Sequence, residues 1–217
     1  MKEFKFDISP SMLRKFFPEY RMKTKQHILD VLLETMRYMI SYDDLGAFEQ
    51  RGKIVLIVDK MSRLFFISDN KSYSISFPFF AQKINESYQF SHENIEIDSY
   101  LISNLISVIS RDLFMGTCSL DLADAVLDYE SEFQDFWVVF RELLLYEDGY
   151  MRYDYDEDGY AKAKESGHEH RHPLHHIDMF YTNKATFKIG LDSSISIDDF
   201  VSIVNINTDC KYMKDWK

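Results

Sequence analysis

The stretch KIVLIVDKMSRLFFISDNKSYSISFP, residues 53–78, decides the fold class. It contains three runs rich in β-branched and aromatic residues, Lys53–Asp59, Arg63–Ser68 and Ser72–Pro78, separated only by short polar links. Links this short join antiparallel neighbours, so the stretch reads as a three-stranded meander within residues 53–80. In the third run Tyr73, Ile75 and Phe77 alternate with Ser72, Ser74 and Ser76. That alternation predicts one buried face and one serine face open to water.

Helices flank the meander. Upstream, Lys25–Ser41 carries Ile28, Val31, Leu32, Met36 and Met39 at helical spacing. Ser9-Pro10-Ser11 offers a capped start for a shorter helix that Pro18 interrupts, so residues 1–45 read as a helical N-terminal part. Downstream, residues 98–147 read as helices. Leu101, Leu105, Val108 and the Asp112/Leu113 pair form one stripe ended by Gly116, and Ser119 offers a further cap. Another helix is predicted over Glu130–Tyr146, with Phe133, Phe136, Phe140 and Leu143 facing inward. The final third reads as a strand at Tyr150–Tyr155, a long polar loop, strands at Leu174–Tyr181 and Thr186–Leu191 joined by an Asn183-Lys184 turn, and a closing helix within 195–205. The expectation is a single α+β domain over residues 1–217, with helices packed on one face of a largely antiparallel sheet.

The chain has 217 residues, 46% hydrophobic and 28% charged, enough apolar material for a core. No apolar run approaches the roughly 20 residues that cross a bilayer, and the opening residues lack a signal core, so a cytoplasmic protein is expected. Cys118 and Cys210 form neither a disulfide framework nor a metal knuckle. The net charge of −11 is unevenly spread: residues 1–80 carry 13 basic against 10 acidic side chains, whereas 128–160 holds 11 acids and two bases. Such a field repels free nucleic acid and argues against nonspecific DNA binding. The opening 25 residues carry seven bases against three acids, which suits a docking surface or simply a solvated helix face.

Five of the seven histidines fall in His168-Glu-His170-Arg-His172-Pro-Leu-His175-His176, followed by Ile177-Asp178. Strand alternation sorts them. His176 and Asp178 point to one face, and His175, Ile177 and Met179 to the other. Applied to the neighbouring runs, the same rule gathers Arg152, Asp154, His176, Asp178 and Lys188 on one polar face. Met151, Tyr153, Ile177, Met179, Phe187 and Ile189 line the reverse. A base-capable His, two carboxylates and two cations together suit phosphodiester chemistry. His176 would be general acid/base, Asp178 and Asp154 orienting groups or metal ligands, and Arg152 and Lys188 phosphate stabilisers. His168, His170 and His172 would swing over the face as a lid or extra ligands. For a divalent metal, zinc or manganese, the candidate ligands are His172, His175, His176 and Asp178. The same residues also read as cross-strand ion pairs on a solvated sheet. The chain lacks a Walker loop, a dinucleotide fingerprint and a nucleophile elbow. Asp154–Gly159 resembles half a calcium loop but reads as a surface turn with non-helical flanks.

Three ordered segments, Gly149-Tyr-Met-Arg152-Tyr-Asp154-Tyr-Asp, His172-Pro-Leu-His-His176-Ile-Asp178-Met-Phe-Tyr and Ala185-Thr-Phe-Lys188-Ile-Gly-Leu, carry a family resemblance. They resemble an uncharacterised bacterial family catalogued as domain of unknown function 2290. The resemblance implies a bacterial protein associated with defence or mobile elements and carries no established activity. Arg-Tyr-Asp followed by a His-rich strand also looks, more distantly, like toxins of toxin–antitoxin systems; the helical and β-meander first half departs from them. The functional expectation is a defence or toxin-type effector acting as a nuclease on RNA or DNA. The alternative is a noncatalytic protein-binding subunit of a defence or toxin–antitoxin complex, its acidic 128–160 region meeting a basic partner.

Overall fold

A computed structural model describes residues 2–42, 51–60, 62–110, 135–179 and 187–212. The meander is present as β2 (Lys53–Val58), β3 (Arg63–Ile67) and β4 (Lys71–Ser76), with Leu56 opposite Leu64 and Phe66 opposite Tyr73. It is the middle of a seven-stranded sheet in which every neighbouring pair is antiparallel. β1 (Lys2–Asp7) pairs with β2, and β8 (Met151–Tyr155), β9 (His175–Met179) and β10 (Phe187–Leu191) extend the sheet from β4. The opening residues are therefore not wholly helical, as the sequence reading had them. Lys2-Glu-Phe-Lys-Phe-Asp7 alternates, setting Phe4 and Phe6 over Leu56 and Ile54, and charges on the other positions mask that short period-2 signal.

One sheet face carries the main core, built on Phe6, Ile54, Leu56, Leu64, Phe66, Tyr73 and Ile75. Over it lies α2 (Lys25–Ile40), capped by Thr24, whose hydroxyl accepts from the His27 N–H at 3.3 Å. Ile28, Leu29, Val31, Leu32, Leu33 and Met36 are all buried, so α2 is covered on more than one side. α3 (Ser99–Ile109) packs on α2, and α4 (Phe136–Leu145) packs on α3. Asp98 caps α3 by accepting from the Leu101 N–H at 2.8 Å. The short α1 (Leu13–Phe16) ends before Pro18 as expected.

The reverse face is not wet. Ser72 is 1% and Ser74 0% exposed, against the expectation that the serine face meets water. Val55, Ile57, Phe65, Met151, Tyr153 and Ile177 form a second apolar layer, closed by Phe200 of the final helix, Ile197–Val204. Arg63 Nε donates to Ser74 Oγ at 2.9 Å, satisfying a hydroxyl that water cannot reach. Whether a sheet face is covered depends on a distant helix, which the alternation of one strand does not encode. Phe187, assigned to this layer, is 59% exposed instead, at the first residue of β10.

Two further elements differ from the sequence reading. A small second sheet, β5 (Phe80–Ile84), β6 (Ser87–His92) and β7 (Ile95–Glu96), lies between the meander and α3. Its hairpin turns on Asn85 and Glu86 at φ +47° and +66°, a turn normally signalled by Asn-Gly and here carrying Glu. The polar stretch after β8 is not a loop. It holds α5 (Glu157–Glu165) and a single 3-10 turn at Glu169–Arg171. Acids in the first turn, lysines in the last, and the helix-favouring Ala161-Lys-Ala-Lys-Glu165 explain α5. The closing helix, α6 (Ile197–Val204), begins with a Ser196/Asp199 capping box where the sequence placed it. The Asp112/Leu113 end of the α3 stripe, Gly116, Cys118, Ser119, the first turns of the helix predicted from Glu130 (with Phe133), and Asn183-Lys184 lie outside the described residues.

Candidate functional site

Register places the polar residues together. Tyr73 opposes Arg152, Arg152 opposes Asp178, Asp154 opposes His176, and Asp178 opposes Lys188. All five predicted residues therefore share one face, the face that carries the main core. They occupy its β8–β10 end. There the segment Glu19–Arg21 lines an open cleft of about 430 Å³ together with Lys71, Arg152, Asp154, Asp156, His172, Asp178 and Lys188.

Arg152 is the hub. Its Nε donates to Asp154 Oδ2 at 2.6 Å and its Nη2 to Asp178 Oδ2 at 2.6 Å, so one guanidinium orients both carboxylates. Burial works to lower the Arg152 pKa, but Tyr150, Asp154 and Asp178 outweigh it and the pKa is raised. For Asp154, burial pushes upward, while the charge of Arg152 and the hydrogen bond it donates win and hold the carboxyl below its ordinary value. Burial, then repulsion from Arg152, lowers Lys71, which Asp154 only partly offsets.

His176 is 1% exposed, and Asp178 2%. His176 Nδ1 donates to the Pro173 carbonyl at 2.9 Å, which leaves the Nε2 lone pair to accept from Lys188 Nζ at 2.9 Å. Pro173 comes this close because residue 190, directly across the ladder from His176, is glycine. A Cβ there would stand 2.8 Å from Pro173 Cγ. Nε2 also lies 3.5 Å from Asp154 Oδ2. Among the described residues, Asp154, His176 and Asp178 form a triad able to hold a metal ion, with one donor atom from each within 4.8 Å of the others.

The half-buried His172 is more telling. His172 Nε2 donates to Asp156 Oδ2 at 2.7 Å, while its Nδ1 faces Lys188 Nζ at 3.4 Å on the cleft side. Asp156 also caps α5, accepting from the Gly159 N–H at 2.8 Å. Burial raises the Asp156 pKa, but the Gly159 N–H and His172 prevail, so its carboxyl is held low. Glycine at residue 159 leaves room for this pair, since a Cβ there would stand 2.2 Å from His172 Nε2 and 2.5 Å from Asp156 Oδ2 and would displace it.

His175 and His176 lie on the faces that strand alternation gave them, but their surroundings differ from those expected. His176 is buried and does not line the cleft, whereas His172 does. His175 belongs to the opposite face, where its ring stacks at 5.0 Å on Tyr155 and its Nδ1 meets the Tyr153 hydroxyl at 3.0 Å. It cannot share a metal with His176, because adjacent strand residues point apart. His168 is exposed and His170 has a 97% exposed side chain, so neither closes over the site. Asp156, Lys71 and Arg21 were not picked out as site residues. Asp156 was visible on the shared face of β8, whereas Lys71 and Arg21 enter through pairing and a loop that no local pattern reveals. Arg21 Nη2 reaches Asp178 Oδ2 at 3.9 Å.

The basic opening segment is partly used up within the fold: Lys15 pairs with Asp30 and Glu34, and Lys25 with Asp148. A larger groove of about 1180 Å³ opens on the reverse face, beside His175 and α6, away from the ionisable cluster. Among the described residues no helix is long and apolar enough to cross a membrane. The chain matches no protein-family model, no curated protein and no solved structure.

Proposed function

We propose that the cleft cleaves phosphodiester bonds in RNA or DNA. The observation that carries this reading is the meeting of a carboxylate-oriented, cleft-facing imidazole with several cations in one open site. Lys71, Arg152, Lys188 and Arg21 would hold the phosphate and balance charge developing on its oxygens. His172 Nδ1 would take the proton from the attacking hydroxyl, water or a ribose 2′-OH, as the new P–O bond forms. The scissile P–O bond then breaks, and the leaving oxygen is protonated by the imidazolium or by solvent. Asp156 keeps Nε2–H pointed away, so that Nδ1 presents its lone pair to the cleft. Zinc or manganese, the ions expected from the sequence, would use Asp154, His176 and Asp178 rather than His175.

The setting proposed with this chemistry is a bacterial defence or toxin-type effector, kin to domain of unknown function 2290, acting in the cytoplasm with a protein partner. A second reading, a noncatalytic subunit of such a complex, draws on the burial of His176 and Asp178 in a network whose side-chain charges cancel. Incubation of purified protein with end-labelled single-stranded and duplex RNA and DNA separates the two. The enzyme reading expects cleavage of at least one substrate, reduced by roughly 10²-fold or more in His172→Ala. Equal cleavage by His172→Ala, or none by the wild type, supports the subunit instead.

A further inference from the structure

The floor of the cleft holds a carboxylate oxygen that accepts no hydrogen bond from any described residue. It is Asp178 Oδ1, which is buried, and Lys188 Nζ stands off at 3.5 Å. A buried acceptor left open costs free energy unless something else uses it. Around it the other donors are already aimed. His176 gives its Nδ1–H to a backbone carbonyl, the arrangement that fixes a metal-binding imidazole with Nε2 forward. Its Nε2 lies 3.5 Å from Asp154 Oδ2, close to the ~3.4 Å edge of a tetrahedron with ~2.1 Å bonds. Arg152 fixes both carboxylates from behind. What fills the middle is the Lys188 ammonium, 2.9 Å from His176 Nε2 and 3.4 Å from His172 Nδ1.

From this geometry we infer that Lys188 is the resident cation of a metal site, and that a divalent first-row ion bound by Asp154, His176 and Asp178 replaces it. One imidazole and two carboxylates suit manganese, iron or zinc rather than calcium or magnesium. Two carboxylates balance Arg152 and Lys188 when the metal is absent. When the ion enters, the ammonium leaves the donor cluster for the cleft that it already lines. There it can meet an anion. Ammonium and metal are thus alternative occupants, and the lysine keeps the site's charge balanced until the ion arrives. The inference shares the triad with the proposed reaction but not its chemistry, since ion binding is read without any substrate.

The test uses Mn²⁺ alone, titrated into the full chain and followed by loss of the free-ion EPR signal. A His168→Ala/His170→Ala background removes the exposed histidines. Lys188→Met, which keeps the stem and removes the charge, should bind one equivalent at least about tenfold more tightly than the parent. Adding Asp178→Asn, nearly isosteric, should lose at least about tenfold of that gain. Thermal melts of each variant confirm that it is folded, and Asp154→Asn serves in place of Asp178→Asn if the latter is not. Weak binding by the parent with tight binding by Lys188→Met supports exchange, as does no binding by the parent with binding by Lys188→Met. Equal affinity in parent and Lys188→Met, no binding by either, or insensitivity to the carboxylate change overturns it. Cleavage without ion binding, or the reverse, tells failure of this inference apart from failure of the proposed reaction.

Discussion

Asp156 does two separable things. It caps α5 through the Gly159 N–H and orients His172 through its other oxygen. Asparagine caps helices as well as aspartate but carries no charge to hold an imidazolium. Asp156→Asn should therefore melt within a few degrees of wild type, yet cleave roughly 10²-fold more slowly. An Asp156→Asn variant that cleaves as fast as wild type would reduce the residue to a structural role. Asp154 gives a pH signature. Its folded pKa lies below the ordinary 3.8, so the stability it contributes is fully present above that value and is lost as pH falls through the lower folded pKa. In urea melts, wild type should exceed Asp154→Asn at pH 5, and the gap should close toward pH 2.5. A gap that stays constant would mean that the carboxylate's charge is not what Arg152 stabilises. At this scale the sequence was informative. Period-2 alternation in three short runs put Arg152, Asp154, His176, Asp178 and Lys188 on one face, and the register bears this out. It did not separate the buried His176 from the accessible His172, because exposure depends on what packs above a strand.

Elements show where local pattern stops. The meander and α2 were legible because their apolar spacing is long and regular; β1 and the β5–β7 sheet were not, because short charged strands declare themselves only through distant pairing. α5 was hidden behind an acidic start that resembled a calcium loop, although its alanines and lysines favour a helix. Gly159 in its first turn sets helix propensity against function. Gly159→Ala should gain roughly up to 1 kcal/mol of helix propensity. It should nonetheless abolish most cleavage, because the methyl takes the position of the His172–Asp156 contact. Full activity in Gly159→Ala would place the reacting base elsewhere. The burial of Ser72 and Ser74 follows from the placement of α6, whose Phe200 ring meets Phe65 edge-on at 6.3 Å. A closing helix was expected, but the face it would cover could not be read from its own sequence.

The whole molecule carries a net charge of −11, while its cleft gathers Arg21, Lys71, Arg152 and Lys188 among the acids that line it. A polyanion thus meets general repulsion and local attraction. Each phosphate contact made by these cations releases counterions, so substrate affinity should fall steeply as salt rises from about 50 to about 200 mM. KM should rise while kcat holds, as expected when salt weakens binding but leaves the dyad intact. A kcat that falls with salt at constant KM would argue against phosphate capture by these side chains. The measurement that tests the central claim most directly is single-turnover cleavage of an end-labelled oligonucleotide by wild type, His172→Ala, Asp156→Asn and the double variant. If the two residues work as one proton-transfer unit, the double variant will be no slower than His172→Ala alone. Cleavage rates that multiply independently, or a wild type that leaves every oligonucleotide intact, would contradict the account.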